Sequence, residues 1–356
     1  MHVTGTRRVM SSALRRGAQA SLRAQTQRAG FASASSAGDS TFGVVFDVDG
    51  VLLRGKKAIP GARQVLEDLK KNDIPFAIMT NGGGYPEAKK AKQVSEILGF
   101  EIPVDLLCMS HTPMKTLAEK HRDDLVLAVG KDCDDLNAVM SSYGFKNFVT
   151  VGELHNHFPT MYPDIKLETI PHGGRFEREA FGAVFVLIDP IYWGRELQIV
   201  MDVLCAQEGR LGSNAPHQNV PLYSACSDFQ YVGEFHLPRY GAGAFRAVME
   251  DLYFRTTGHH LTQTLFGKPE PTSFKYAESL IDGQHANVDR IYMIGDNPLT
   301  DIKGANSIGG RWKSILTLTG MHVGPHNHEE HPAYQVVADV GEALQFMKED
   351  FHKSQQ

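Results

Sequence analysis

The stretch Phe46-Asp47-Val48-Asp49-Gly50-Val51-Leu52 decides the fold, because it places two acidic residues directly after a short apolar run. That run, from Phe42 to Phe46, predicts a buried strand. Two carboxylates this close at the end of a buried strand are costly, and their repulsion raises the pKa of one of them. A bound divalent cation removes both problems. The stretch therefore predicts a buried strand that ends at an acidic, cation-binding site.

Strand and helix patterns alternate on both sides of a less regular middle region. After the acidic stretch, Pro60 begins a helical pattern that has Ala62, Val65, Leu66 and Leu69 on one face. A second helix begins at Pro86, and the other patterns predict strands at 76–79, 125–129, 291–294, 314–318 and 335–337 and helices at 244–254, 274–281 and 341–347. Alternation of this kind implies parallel strands joined by helical crossovers.

The simplest organisation is a doubly wound α/β core, built from both ends of the chain, with an α/β domain inserted in the middle. Strand patterns at 184–188 and 220–223, a helix at 197–204 and a loop at 209–219 are predicted within the insertion. In the predicted division, residues 1–38 form a terminal segment and residues 126–237 form the inserted domain. The core consists of residues 39–125 and 238–350, and residues 351–356 form a disordered tail.

The composition is that of an ordinary globular protein. Of the 356 residues, 42% are hydrophobic and 22% are charged, which is enough for a core. The net charge of −5 gives no reason to expect nucleic acid as a partner. No stretch approaches the roughly 18–20 apolar residues of a membrane span.

The histidines between residues 322 and 331 fit no common zinc spacing. The oligomeric state stays open, and a homo-oligomer is one possibility. The scattered cysteines are expected to be reduced core thiols, namely Cys108, Cys133, Cys205 and Cys226.

The first 38 residues differ from the rest of the chain. They contain six arginines and no acidic residue, and Ser, Ala, Gln and Gly supply most of the remainder. Met10, Ala13, Leu14 and Ala18 can line one face of a helix beside the arginines. This pattern is typical of a mitochondrial transit peptide, so we expect a mitochondrial, matrix location. A disordered basic tail is the alternative interpretation.

Three further polar segments follow apolar runs, at the strand ends where ligand sites form in open parallel sheets. Thr80-Asn81, with glycines at 82–84, offers a hydroxyl, an amide and backbone N–H groups that suit phosphate oxygens. Gly267-Lys268-Pro269 places a lysine ahead of a helix. Gly295-Asp296-Asn297-Pro298, followed by Asp301, ends another strand in acids. Singly these segments read as a turn, a surface loop and a helix N-cap, but together they indicate one site.

These segments resemble the motifs of the haloacid dehalogenase superfamily. The stretch from Asp47 to Leu52 resembles the first motif, Thr80 the second-motif hydroxyl and Lys268 the third-motif lysine. Gly295 to Asp301 resembles the fourth motif in the class IIA subgroup, which has a large cap domain between the second and third motifs. More narrowly, the chain resembles the mitochondrial cat eye syndrome critical region protein 5 family, at residues 46–55, 110–115, 145–153, 198–204, 238–245 and 266–269.

The resemblance implies a Mg²⁺-dependent phosphatase that acts on a small phosphorylated metabolite. Asp47 would attack phosphorus and form an aspartyl phosphate. Asp49 would protonate the leaving oxygen and then take a proton from the hydrolytic water. Lys268 would offset the charge of nucleophile and phosphate.

The resemblance also implies the binding groups. Phosphoryl oxygens would be held by Thr80, Asn81 and Gly82. The Mg²⁺ ligands would be the Asp47 side chain, the Asp49 backbone carbonyl and the Asp296 side chain, with Asp301 as a further ligand or as a support for the others.

One departure from the class IIA pattern leaves the substrate open. Related caps often carry a Thr-Asn-Pro-Asp-like stretch, and the corresponding run here is Ser224-Ala225-Cys226-Ser227-Asp228, with Cys226 in place of Asn. Asp228 stands where related caps carry a substrate-facing acid, so it is predicted to bind substrate. A connecting loop is the alternative. The motifs in the core do not identify the substrate, because specificity lies in the cap. A non-catalytic binding or scaffold role on a retained phosphatase fold is the alternative to catalysis.

Overall fold

Two parallel β-sheets organise the chain in the computed structural model, which describes residues 40–165, 176, 179–212, 215–231, 235–322 and 324–356. The predicted transit segment lies outside the described residues. The strands are β1 (Thr41–Phe46), β2 (Leu53–Arg54), β3 (Lys57–Ala58), β4 (Phe76–Thr80), β5 (Leu107–Met109), β6 (Leu125–Val129), β7 (Phe148–Thr150), β8 (Phe181–Val186), β9 (Leu222–Ala225), β10 (Gln230–Tyr231), β11 (Arg239–Tyr240), β12 (Gln263–Phe266), β13 (Val288–Gly295), β14 (Trp312–Thr317) and β15 (Gln335–Val337).

Helices connect most of these strands. They are α1 (Ala62–Lys71), α2 (Glu87–Leu98), α3 (Cys133–Ser142), α4 (Val151–His157), α5 (Trp193–Leu204), α6 (Ala242–Thr257), α7 (Pro271–Gln284), α8 (Lys303–Ile308) and α9 (Val340–Ser354). Short 3₁₀ segments lie at Val104–Leu106, Thr112–Leu117, Pro159–Met161 and Gln207–Gly209, and a π-helical turn spans Pro298–Ile302.

The first sheet has the order β15-β14-β13-β1-β4-β5, with every pair parallel. Alternate residues of β1 face opposite sides, as the pleat requires. Val44 and Phe46 pack in a cluster with α1 and α9, whereas Val45 packs with α7. Helices therefore cover both faces, and the predicted doubly wound α/β core is confirmed.

The second sheet has the order β12-β9-β8-β6-β7 and is also parallel. Leu125, Leu127 and Val129 of β6 pack with α4, α5 and α6, whereas Val126 and Ala128 pack with α3. This sheet has its own two-sided core. A hairpin of β10 and β11 follows β9 along the chain.

The middle region is more regular than the sequence patterns predict. The predicted boundary between residues 125 and 126 falls within the strand at 125–129, and this strand lies inside the second sheet. Strand β7 and helices α3 and α4 were not predicted, because a three-residue strand and helices rich in polar residues give weak periodic signals. Strand β12 was not predicted either, and through it the second sheet extends to Phe266. The limits of the inserted domain, residues 126–237, stay a prediction.

Side-chain burial confirms the predicted inner face of α1, since Ala62, Val65, Leu66 and Leu69 are all buried. The cysteines are free thiols, but Cys133 is exposed at the first residue of α3, so it is not the core thiol that was predicted. No helix within the described ranges is long and apolar enough to cross a membrane.

Candidate active site

The polar segments identified in the sequence meet at the carboxyl edge of the first sheet. Strand β1 lies between β13 and β4, and Phe46 is in register with Ile294. The backbone N–H of Asp47 donates to the carbonyl of Ile294 at 2.9 Å. Asp47, Asp296 and Thr80 thus stand at or just beyond the ends of neighbouring parallel strands, where ligand sites form in such sheets.

Three buried carboxylates form the centre of the site. One side-chain oxygen from each of Asp47, Asp296 and Asp301 lies within 4.8 Å of the other two. The N–H of Met321 donates to Asp296 Oδ2 at 2.6 Å, and the N–H of Asn297 donates to Asp301 Oδ2 at 3.1 Å. These bonds orient the carboxylates but do not neutralise them. Three acids in one buried place repel one another unless cations are present.

Lys268 brings a positive charge to these acids from the second sheet. Its Nζ lies 2.5 Å from Asp47 Oδ1 and 2.7 Å from Asp301 Oδ1, and its side chain is only 3% exposed. Lys268 follows β12 by two residues and is 221 residues from Asp47 in sequence. One ammonium therefore faces three carboxylates, and the centre keeps an excess of negative charge.

The pKa values reflect this excess. Burial raises the pKa of Asp47 well above its ordinary value, although the Lys268 ammonium opposes the shift. Burial and the nearby Asp301 carboxylate raise the pKa of Asp296 to about 7. Burial alone would lower the pKa of Lys268, but Asp301 and Asp47 outweigh it and raise that pKa above its ordinary value. An all-oxygen, carboxylate-rich donor set of this kind suits a hard divalent cation.

Two glycines allow loops to approach Asp296 closely. Gly50 has a φ of +91°, and a Cβ atom there would collide with the Asp296 carboxylate. A Cβ atom at Gly320 would collide with the same carboxylate. The Thr319 hydroxyl donates to the carbonyl of Gly50 and ties the two loops together. Residues 319–321 were not predicted to reach the site, although they directly follow the strand pattern at 314–318 and so lie at a strand end.

The predicted phosphate-binding segment lies at the same edge. The Thr80 hydroxyl accepts a bond from the N–H of Gly82 at 3.1 Å. The Asn81 amide oxygen accepts from the N–H of Lys268 at 2.7 Å. The Asn81 amide nitrogen donates to the carbonyl of Lys268 at 2.9 Å and to Asp228 Oδ1 at 3.0 Å. Protein groups therefore already engage both ends of this amide.

The two remaining predicted acids stand in different surroundings. The Asp49 side chain is exposed and is not part of the three-carboxylate cluster. A contribution of Asp49 through its backbone carbonyl stays a prediction. Asp228 follows β9, and burial raises the pKa of its carboxyl. The buried thiol of Cys226 lies 3.7 Å from Asp228 Oδ2. The loop after β9 thus reaches the edge of the first sheet, where Asp228 accepts the hydrogen bond from Asn81.

Comparison with known proteins identifies the family. A family model described as haloacid dehalogenase-like hydrolase matches residues 44–146, and a second, described as HAD-hydrolase-like, matches residues 265–343. The mitochondrial hydrolase YKR070W of Saccharomyces cerevisiae is 30% identical over 333 residues, covering 84% of this chain and 93% of that protein. The chain belongs to the haloacid dehalogenase-like hydrolase family. A Schizosaccharomyces pombe relative, named a cardiolipin synthase (CMP-forming) and mitochondrial hydrolase fusion protein, is 34% identical over 312 residues. That match covers 84% of this chain, which spans 51% of the length of the relative.

Solved structures show that this haloacid dehalogenase-like hydrolase shares its fold with more distant proteins. The protein PH1952 of Pyrococcus horikoshii superposes with a TM-score of 0.65 at 23% identity, covering 86% of this chain and 100% of the other. The 4-nitrophenylphosphatase of Thermotoga maritima superposes with a TM-score of 0.61 at 18% identity, covering 86% and 97%. At these identities the likeness concerns the fold alone.

Proposed function

We propose that the protein is a Mg²⁺-dependent phosphatase of small phosphomonoesters, with Asp47 as its nucleophile. The contact between the buried Asp47 carboxylate and the buried Lys268 ammonium carries the proposal. A carboxylate can attack phosphorus and form a covalent intermediate. An ammonium fixed beside it offsets the charge of the phosphoryl oxygens, which is a large part of what phosphoryl transfer requires.

The charge balance of the site supports a divalent cation. Lys268 offsets the charge of only one of the three clustered carboxylates. Burial raises the pKa of Asp47 even with Lys268 beside it, so a second cation would help to keep this carboxylate ionised. Mg²⁺ would be held by the side chains of Asp47 and Asp296 and by the backbone carbonyl of Asp49, with Asp301 as a further ligand or a support. When bound, Mg²⁺ supplies charge stabilisation for the phosphoryl oxygens and favours the ionised carboxylates.

The proposed reaction consists of two displacements at phosphorus. In the first, an Asp47 carboxylate oxygen bonds to phosphorus while the ester P–O bond breaks, and the Asp49 carboxyl gives its proton to the leaving oxygen. In the second, water attacks the aspartyl phosphate and gives a proton to Asp49, and the bond between Asp47 and phosphorus breaks to release phosphate. The exposure of Asp49 beside the buried Asp47 supports this division of roles, because a leaving group can reach it.

The phosphate would be bound at the carboxyl end of β4. The Thr80 hydroxyl accepts a bond from the N–H of Gly82 and so keeps its own hydrogen to donate to a phosphoryl oxygen, and the backbone around Gly82 would lie beside the phosphate. We propose a small phosphorylated metabolite as the substrate and a mitochondrial, matrix location. The arginine-rich start of the chain and the mitochondrial names of the yeast relatives support that location.

Substitution of the nucleophile tests the proposal. Asp47→Asn keeps the size of the side chain but removes the attacking carboxylate, so hydrolysis of a panel of phosphomonoesters should fall by at least about 1,000-fold. EDTA should abolish the wild-type activity, and the exposed Asp123 provides a matched control as Asp123→Asn. Residual Asp47→Asn activity within about tenfold of wild type would exclude Asp47 as the nucleophile.

A further inference from the structure

We propose that Asn81 is a positioning residue for Lys268, and that Asp228 holds the Asn81 amide in the orientation that this requires. The inference rests on the proposed function, in which Lys268 is the cation at the nucleophile. It differs from the substrate-binding roles that the sequence suggested for Asn81 and Asp228, because both side chains act through Lys268.

The side-chain amide of Asn81 forms two hydrogen bonds with the backbone of Lys268. The N–H of Lys268 donates to Asn81 Oδ1 at 2.7 Å, and Asn81 Nδ2 donates to the carbonyl of Lys268 at 2.9 Å. The amide thereby satisfies two buried backbone groups just beyond the last residue of β12. Gly267, with a φ of +91°, permits the approach, since a Cβ atom there would lie 3.0 Å from Asn81 Oδ1. Loss of the amide would leave a buried donor and acceptor without partners.

Asp228 strengthens the amide orientation that the Lys268 backbone favours. Its Oδ1 accepts the second hydrogen of Asn81 Nδ2 at 3.0 Å. A reversed amide would place its oxygen against two acceptors, the Asp228 carboxylate and the Lys268 carbonyl, and its NH₂ group against the Lys268 N–H. Both hydrogens of Nδ2 are also in use, so the amide has none left to donate to a phosphate. The partners therefore favour a positioning role over direct substrate binding.

The backbone of Lys268 anchors the side chain that carries the ammonium. The ammonium lies 2.5 Å from Asp47 Oδ1 and 2.7 Å from Asp301 Oδ1, so a shift of the backbone would disturb both contacts. A misplacement of about 1 Å can cost on the order of 100-fold in rate. The path from Asp228 through Asn81 and Lys268 to Asp47 therefore connects the loop after β9, in the second sheet, to the nucleophile in the first.

Steady-state kinetics separates positioning from substrate binding. Asn81→Ala and Asp228→Ala should lower kcat by about 10–100-fold, to a similar extent for every phosphomonoester, while KM changes by less than about threefold. Asp228→Asn retains an oxygen acceptor for Asn81 and should stay near wild type. Ser227→Ala is the matched control, because its hydroxyl bonds to Arg246 and not to Asn81. If Asp228 acts through Asn81, the double Ala variant should be no slower than Asn81→Ala alone.

Hydrogen exchange at Lys268 provides a readout that does not depend on activity. Exchange of the Lys268 backbone amide, followed by mass spectrometry of the full-length protein, should accelerate in Asn81→Ala and Asp228→Ala but not in Asp228→Asn. Unchanged exchange in both Ala variants, or a raised KM with unchanged kcat, would overturn the positioning role. If Asn81→Ala does not fold, the Asp228→Ala and Asp228→Asn pair still decides the question. A wild-type protein that hydrolyses no phosphomonoester would instead contradict the proposed function. The exchange result would still test whether Asn81 and Asp228 hold the Lys268 backbone in place.

Discussion

Replacement of Lys268 by Met provides a test of how the acidic centre is stabilised. Met nearly keeps the length of the side chain but removes the ammonium that lies 2.5 Å from Asp47 and 2.7 Å from Asp301. Both carboxylates are buried and would lose their cation in the absence of a bound metal. Removal of one partner from a buried ion pair typically costs about 3–5 kcal/mol. We therefore expect Lys268→Met to lower the unfolding free energy by about 4 kcal/mol at neutral pH in EDTA.

The cost of protonation gives a similar magnitude. Without Lys268, the fold can avoid an uncompensated charge by protonating a carboxyl whose ordinary pKa is about 4. At about pH 7 this costs about 4 kcal/mol, since each pH unit above the pKa adds about 1.4 kcal/mol. At about pH 5.5 the same step costs about 2 kcal/mol. The destabilisation by Lys268→Met should therefore be roughly halved at the lower pH.

Urea denaturation in EDTA at both pH values measures this difference. Lys348→Met is the matched control, because Lys348 Nζ lies 2.6 Å from Asp68 Oδ2 but the two side chains are 44% and 33% exposed. An exposed pair of this kind should contribute less than about 1 kcal/mol. Saturating Mg²⁺ should recover part of the loss in Lys268→Met, because a bound cation replaces the missing charge. Equal losses in the two Met variants, or a loss independent of pH, would refute this account of the site.

Three further results are expected. Millimolar Mg²⁺ should raise the Tm of the wild type, and Asp296→Ala should remove most of that rise. A wild-type Tm that does not change with Mg²⁺ would count against the metal site. His111 is fully buried, and burial lowers its pKa to about 4. Because this folded-state pKa lies below the unfolded value of about 6.5, the neutral imidazole stabilises the fold above about pH 6.5, and this stability is lost as the pH falls toward about 4. Between about pH 7.5 and 5 the wild type should lose about 2 kcal/mol more unfolding free energy than His111→Gln, and parallel pH profiles would contradict this. A fluorescent protein fused to residues 1–40 should enter mitochondria, and a uniform cytosolic signal would exclude a transit role.

Much of the fold could be predicted because its signals are local. The strand at Thr41–Phe46, the inner face of α1 and the strand–helix alternation at both ends of the chain follow from apolar spacing alone. The acids stood out because charged residues directly after buried strands need a chemical reason. Lys268 stood out because it lies between Gly267 and Pro269 ahead of a helix pattern. These features depend on neighbours a few residues away, so one sequence was enough to find them.

Other features depend on packing between distant segments. Apolar spacing indicated that residues 125–129 form a strand but could not show that this strand belongs to the second sheet. The reason is that the apolar side chains of such a strand could pack in either core. The contact of Lys268 with Asp47 spans 221 residues, and the partners of Asn81 lie on two other segments. No periodic pattern encodes such contacts. The sequence by itself determined which residue types stand at the strand ends, but only the tertiary structure decided which of them meet. The reason is that hydrogen bonds and ion pairs depend on distances of about 3 Å that packing creates.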